Sequence, residues 1–265
     1  MRPFRVGTLT AVVLLLLPLG LSSCGVSVSC ACASPANLNR TPPPVSSVEA
    51  ATYAARVAGL SAMTAEFAGS FQGRSIYQAT APKTLAFVDG ESGVVLEVVA
   101  IDQMPNEVTT ESPTTAAKTA AEAFLARTSL NTDGLAMASK IKTSAGVSAY
   151  DFTWSDSLGS AKFLISVNPV TGSVFAYADL RMGLPLALPL VGQARATQLA
   201  IDTDGRPGNQ LIAADFNIDF ASGVQISTWM VDLGVPTATD PNVYEHGSVI
   251  QIDALTGTAK VMKSA

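Results

Sequence analysis

The chain has 265 residues, 16 of them basic and 21 acidic, for a formal net charge of −5. A surplus of negative charge gives a phosphate backbone no footing, which argues against nucleic-acid binding, and a hydrophobic content of 48% excludes wholesale disorder. One histidine and three cysteines, all three before residue 33, leave little for a metal cage or a Cys/His nucleophile.

The first 23 residues divide into three parts. Met1-Arg2-Pro3-Phe4-Arg5 carries positive charge, residues 6–20 form an apolar run with leucines at 14–17, and Leu21-Ser22-Ser23-Cys24 follows. A basic head and about 15 apolar residues predict a secretory signal peptide, too short for a comfortable membrane span. The last four residues resemble the bacterial lipobox, with Leu at −3 and small residues at −2 and −1. Neither Cys30 nor Cys32 has a leucine three residues upstream, so the resemblance assigns lipidation to Cys24. The alternative is an ordinary cleaved signal peptide with an incidental cysteine. The lipobox implies a lipoprotein of the bacterial cell envelope, held to the extracytoplasmic face of a membrane by acyl chains such as palmitate. Each buried CH2 contributes about 0.8 kcal/mol to that attachment. Gly25, not Asp, follows the cysteine, which in a two-membrane cell resembles lipoproteins passed to the outer membrane; in a one-membrane cell the protein faces the wall. Removal of residues 1–23, which hold two arginines and no acid, leaves 242 residues with 14 basic and 21 acidic, a balance of −7.

After Cys24, residues 25–45 are rich in turn formers and have no hydrophobic period, so residues 24–45 are expected to be the lipidated cysteine and a flexible tether. Cys30 and Cys32 within it are open to a strained local disulfide, pairing between molecules, or unremarkable thiols.

Three helix-then-strand units are predicted next, over 46–110, 111–183 and 190–265. Ser46-Ser47-Val48-Glu49 is a capping-box pattern, and Tyr53, Val57, Leu60, Met63 and Phe67 follow at helical spacing, with Gly69 and Gly73 as the stop. Ser112-Pro113 opens a second helix with Ala117, Ala120, Ala121, Phe124 and Leu125 as its buried stripe. A third runs from about 192 to 201 and stops at Asp202-Thr203-Asp204-Gly205. Strands are expected at 74–79, 84–88 and 94–101 after the first helix. The second leads to 137–143, 148–154, 162–167 and 173–177, and the third to 211–220, 224–232, 248–252 and 258–262. Short strands joined by short turns pair antiparallel. The fold class is therefore α+β, as repeated helix-plus-antiparallel-sheet units, with 184–189 as the joint between the second and third.

The hairpins share a turn of the form [DN]-x-x-[ST]-G, at 89–93, 168–172, 253–257 and also 219–223. The leading Asp or Asn accepts from backbone N–H groups in the loop, and the glycine takes a positive φ. The last hairpins of the second and third units, FLISVNPVTGSVFAY and SVIQIDALTGTAKVM, also share their surroundings. The Ala-rich helix at 113–128, a strand pair and this closing hairpin resemble the PepSY family of small α+β modules. The resemblance covers 113–178 and, in looser form, 192–263; residues 46–102 match in outline. Asn168 stands where the family usually has Asp, and Ala259 and Lys260 make the last strand less apolar than expected. Membership implies binding or restraint of envelope peptidases and wall hydrolases, and it carries over no catalytic residue.

The search for chemistry returns little. His246, the sole histidine, is expected in an exposed loop. Ser139-Lys140-Ile141-Lys142 fits a Ser-x-x-Lys signature but falls on a strand without an accompanying Lys-Thr-Gly. Asp202-Thr203-Asp204-Gly205 lacks the glycine spacing and final Glu of a calcium loop and reads as a helix-ending turn. Asp89, Asp151, Asp156 and Asp253 read as turn or strand-end residues, and Trp154 and Trp229 as core anchors. The expectation is a non-enzyme with no catalytic residues, no metal and no cofactor. Its partners are the membrane through Cys24 and an envelope peptidase or hydrolase; a lipoprotein that binds a small ligand or peptide is the alternative.

Overall fold

The computed structural model describes residues 44–220, 223–237, 240 and 243–264. The signal segment 1–23, Cys24, Cys30, Cys32 and the tether as far as residue 43 lie outside the described residues. Ser46 caps the first helix as its sequence predicts: its Oγ accepts from the Glu49 N–H, and the Glu49 carboxylate accepts from the Ser46 N–H. Helix α1 (Ser47–Ala58) buries Ala50, Ala54, Ala55 and Val57. It stops well short of the expected end. Gly59 takes the left-handed conformation, φ 74, and donates back to Ala55 and Arg56, as a C-terminal glycine does. The segment read as its continuation is an unforeseen strand, β1 (Thr64–Phe71), so Met63 and Phe67 are not helical.

Strands β2 (Arg74–Ala81), β3 (Thr84–Asp89) and β4 (Val95–Ala100) complete a meander, and a 3-10 turn, Ile101–Gln103, follows. Helix α2 (Thr115–Arg127) is capped by Thr114, two residues later than expected, and buries Ala117, Ala121, Phe124 and Leu125. It leads to β5 (Ala136–Ser144), β6 (Val147–Ser155), β7 (Ala161–Val167) and β8 (Val174–Asp179). Helix α3 (Gln193–Asp204) is followed by β9 (Gln210–Asp219), β10 (Ile226–Pro236), β11 (Tyr244–Asp253) and β12 (Ala259–Ser264). All pairing is antiparallel, and the class is α+β.

The first two meanders join through β4 and β8 into one eight-stranded sheet, ordered β1-β2-β3-β4-β8-β7-β6-β5, while β12-β11-β10-β9 form a second sheet. The junction has two-fold character. Glu97, Val98 and Val99, which are 8, 9 and 10 residues past Asp89, pair with Ala178, Tyr177 and Ala176, which are 10, 9 and 8 past Asn168.

One face of the large sheet presents Tyr77, Val98, Tyr150, Phe152, Phe163, Ile165 and Tyr177 to α1 and α2 in a single core. The opposite face presents Phe87, Leu96, Val99, Ala149 and Phe175. These share a second core with Leu184, Leu188, Leu190 and Val191, with Trp229, Val231 and Ile250 of the small sheet, and with Ala196 and Ala200 of α3. The segment expected as a joint is thus an internal layer. Burying each such large apolar side chain contributes about 1.5–3 kcal/mol.

The shared turn connects the last two strands of each meander. Asp89, Asn168 and Asp253 accept from N–H groups two or three residues on, and Gly93, Gly172 and Gly257 close the turns at φ 73, 70 and 74. Asn168 has a reason to be an amide: its Nδ2 donates to the Gln103 carbonyl at 2.9 Å, tying the turn to the 3-10 segment.

Candidate interaction surface

Of the residues singled out from the sequence, the structure brings Lys140 and Lys142 on β5 close to Asp151 on β6. The backbone of His246 lies in β11, not in a loop, and its side chain lies outside the described residues. Ser139, Lys140 and Lys142 sit on β5, the edge of the large sheet. Asp202-Thr203-Asp204-Gly205 ends α3, with Gly205 as a left-handed cap. Asp156 orders its turn by accepting from the Leu158 and Ser160 N–H groups and pairs with Lys162 at 2.8 Å. Trp154 and Trp229 are buried, the latter donating to the Val191 carbonyl at 2.8 Å. Among the described residues, no group of three His, Cys, Asp or Glu could hold a metal ion.

Asp151 departs from its expected role. It lies inside β6, buried, and accepts from the Ser166 Oγ at 2.6 Å. Burial raises its carboxyl pKa, while the Ser166 hydrogen bond and the Lys142 charge oppose that rise. Burial likewise lowers the ammonium of Lys142, which donates to the Leu188 carbonyl at 3.2 Å. Asp89 has the opposite outcome: burial alone would raise it, but hydrogen bonds from Arg74 and Ser92 and the Arg74 charge hold it below the ordinary carboxylate range.

A polar clamp missed in the sequence joins the two sheets. Gln225 donates from Nε2 to both Glu97 oxygens at 3.0 Å and to the Ala187 carbonyl at 3.2 Å, and its Oε1 accepts from the Ala187 N–H at 3.0 Å. Burial pushes the fully enclosed Glu97 carboxyl up to about 8, and the Gln225 hydrogen bond offsets only part of this. A carboxyl sealed in this way serves the joint between sheets.

The accessible features among the described residues include strand edges and a groove. An open cavity of about 590 Å³ runs between α1 and the outer strand β1, lined by Val48, Ala51, Ala55, Leu60, Met63 and Ala65 among others. Val48 is 74% exposed and Phe67, farther along β1, is 52% exposed and packs edge-to-face with Tyr77. Beside this groove β1 is the edge of the sheet, with no strand on its outer side among the described residues. Reading 60–67 as helix hid the surface. The signals for it are Gly59, able to adopt positive φ, and the β-branched Thr64 that starts the strand.

No protein-family model matches the chain, and no curated protein matches it. Among solved structures the chain is similar to the Bacillus megaterium YpeB C-terminal domain, at 15% identity over 83% of this chain and 98% of that one, with a TM-score of 0.38. It is also similar to MucB, from a crystal structure of MucB in complex with MucA(peri), at 10% identity over 80% of this chain and 91% of that one, with a TM-score of 0.16.

Proposed function

We propose that this protein is a non-catalytic envelope lipoprotein, anchored through acylated Cys24 to the extracytoplasmic face of a bacterial membrane, that binds or restrains another envelope protein, a peptidase or wall hydrolase. The observation that carries this reading is the groove between α1 and β1, where exposed Val48 and Leu60 border an open strand edge. An extended partner segment placed there gains main-chain hydrogen bonds from β1 and apolar contact from α1, the physics of strand addition. The PepSY-like hairpins and the lipobox support the same reading from the sequence.

The test is genetic and biochemical. Cells lacking the protein are expected to show altered secreted proteolysis or wall hydrolysis, restored by the natural chain and not by Val48→Asp/Leu60→Asp, whose solvent-exposed side chains make the fold tolerant of the change. Unaltered proteolysis and hydrolysis in the deletion strain would overturn the reading. Cys24→Ser should move the protein from the membrane to the soluble fraction. The groove volume also lies within the usual range for small-ligand pockets, roughly 300–1,000 Å³. A bound mass in native mass spectrometry of the purified chain would favour that second reading.

A further inference from the structure

We propose that copies of this chain associate head to tail, the outer edge of β9 in one copy pairing antiparallel with the outer edge of β12 in the next. This inference stands apart from the partner proposed above. Among the described residues, neither strand has a neighbour on its outer side in the small sheet. Because that sheet is a four-stranded antiparallel meander, its two edge strands run in opposite directions. Simple translation therefore lays the β12 of one copy antiparallel to the β9 of another.

The two edges carry opposite charge on the same face. Phe216, Ala214, Ile250 and Ile252 alternate toward α3 through their pairing with Trp229, Val231, Val261 and Ala259. The intervening residues point the other way. On that outward face β9 holds Asp215 and Asp219, and β12 holds Lys260 and Lys263. All four are exposed, and none forms an ion pair among the described residues. No basic residue lies on β9 and no acidic one on β12. With Lys263 set opposite Asp215, and Met262 bulged out as it is against β11, Val261 meets Phe216, Lys260 meets Asn217 between the two aspartates, and Ala259 meets Ile218. Opposite charges then share one face and apolar residues the other.

The same pattern rejects the wrong pairings. Lysines on an edge repel a second copy of that edge, and the aspartates do the same, so β12 to β12 and β9 to β9 are disfavoured. Exposed apolar side chains mark both edges: Ile212 at 47% on β9, and Val261 and Met262 at 47% and 50% on β12. An interface between two different surfaces of one chain propagates unless the rotation closes a ring.

Sedimentation velocity of the full chain in detergent, over a concentration series, tests this. The expected result is a progressive series of oligomers beyond the dimer, weakened at about 0.5 M salt, where screening shortens to a few Å. Lys260→Glu/Lys263→Glu, or Asp215→Lys/Asp219→Lys, should each weaken association about tenfold or more, since two cross-strand attractions become repulsions. An equimolar mixture of the two variants should assemble again, because each supplies the edge the other needs. Unchanged circular dichroism separates these effects from misfolding. A chain that stays monomeric throughout, oligomers that survive both reversals, or a mixture that does not reassemble would each overturn the proposal. Peptidase or hydrolase restraint by the monomeric variants is measured alongside, so loss of assembly and loss of partner binding remain separate results.

Discussion

At position 168 an amide stands where the equivalent turns have carboxylates, and the difference is one donor. The oxygen of Asn168 orders its own turn while the nitrogen reaches the Gln103 carbonyl. Asn168→Asp should keep the turn and lose the tie, placing a negative oxygen against a carbonyl, at a cost of about 1–3 kcal/mol by urea denaturation. Glu97 makes a prediction with a sign. In the fold its carboxyl stays protonated to about pH 8, whereas in the unfolded chain it ionises near 4.5. Folding takes up a proton between those values, so its contribution to stability is full below about 4.5 and declines as pH rises toward 8. Asp89, lowered by Arg74 and Ser92, acts in the opposite sense and loses its contribution on acidification. Comparison with Glu97→Gln isolates the first effect: denaturation midpoints at about pH 5 and pH 8 should differ less in the variant than in the natural chain.

Among the elements, α3 depends on one close approach. A Cβ on its cap Gly192 would lie 2.7 Å from the Pro105 carbonyl and 2.8 Å from that of Met104, both backbone atoms with little room to yield. Gly192→Ala should cost about 1–3 kcal/mol as the helix is pushed from the loop after β4, visible as a lowered melting temperature. Local chemistry made most elements readable: the Ser46 capping box and the turn at Asn168 satisfy backbone groups with neighbours in sequence, and the Ala117–Phe124 stripe repeats at helical spacing. The end of α1 was not readable for a physical reason. Leu60, Met63 and Phe67 continue the helical period past Gly59, but they do so as a turn and a strand edge, where the same apolar spacing lines a groove. A helix extended by that spacing hides β1 and the candidate surface beside it together.

In the whole molecule, the sheets are held to each other by groups distant in sequence. Gln225 bridges Glu97 and both backbone groups of Ala187, so Gln225→Ala leaves the buried Glu97 carboxyl and two half-buried backbone groups short of a partner. Hydrogen exchange should then show β9–β12 losing protection before β1–β8, because the small sheet is left with its apolar contacts and fewer hydrogen bonds, such as that from Gln72 to the Gly223 carbonyl. No periodicity announces such a clamp: a glutamine at a strand start and a glutamate inside an apolar strand become partners only through the docking of two sheets. The β4–β8 pairing was unreadable for the same reason, since any antiparallel strand of suitable polarity could have been the neighbour. Its position has a kinetic corollary. Every other ladder joins strands that follow one another in the chain, but β4 must wait for β8, with the whole second meander between them. Closing so long a loop delays the contact. A chain delivered from its N-terminus therefore holds the β4 edge open until its eighth strand emerges, and during that interval the nascent protein is most open to mispairing and to chaperones.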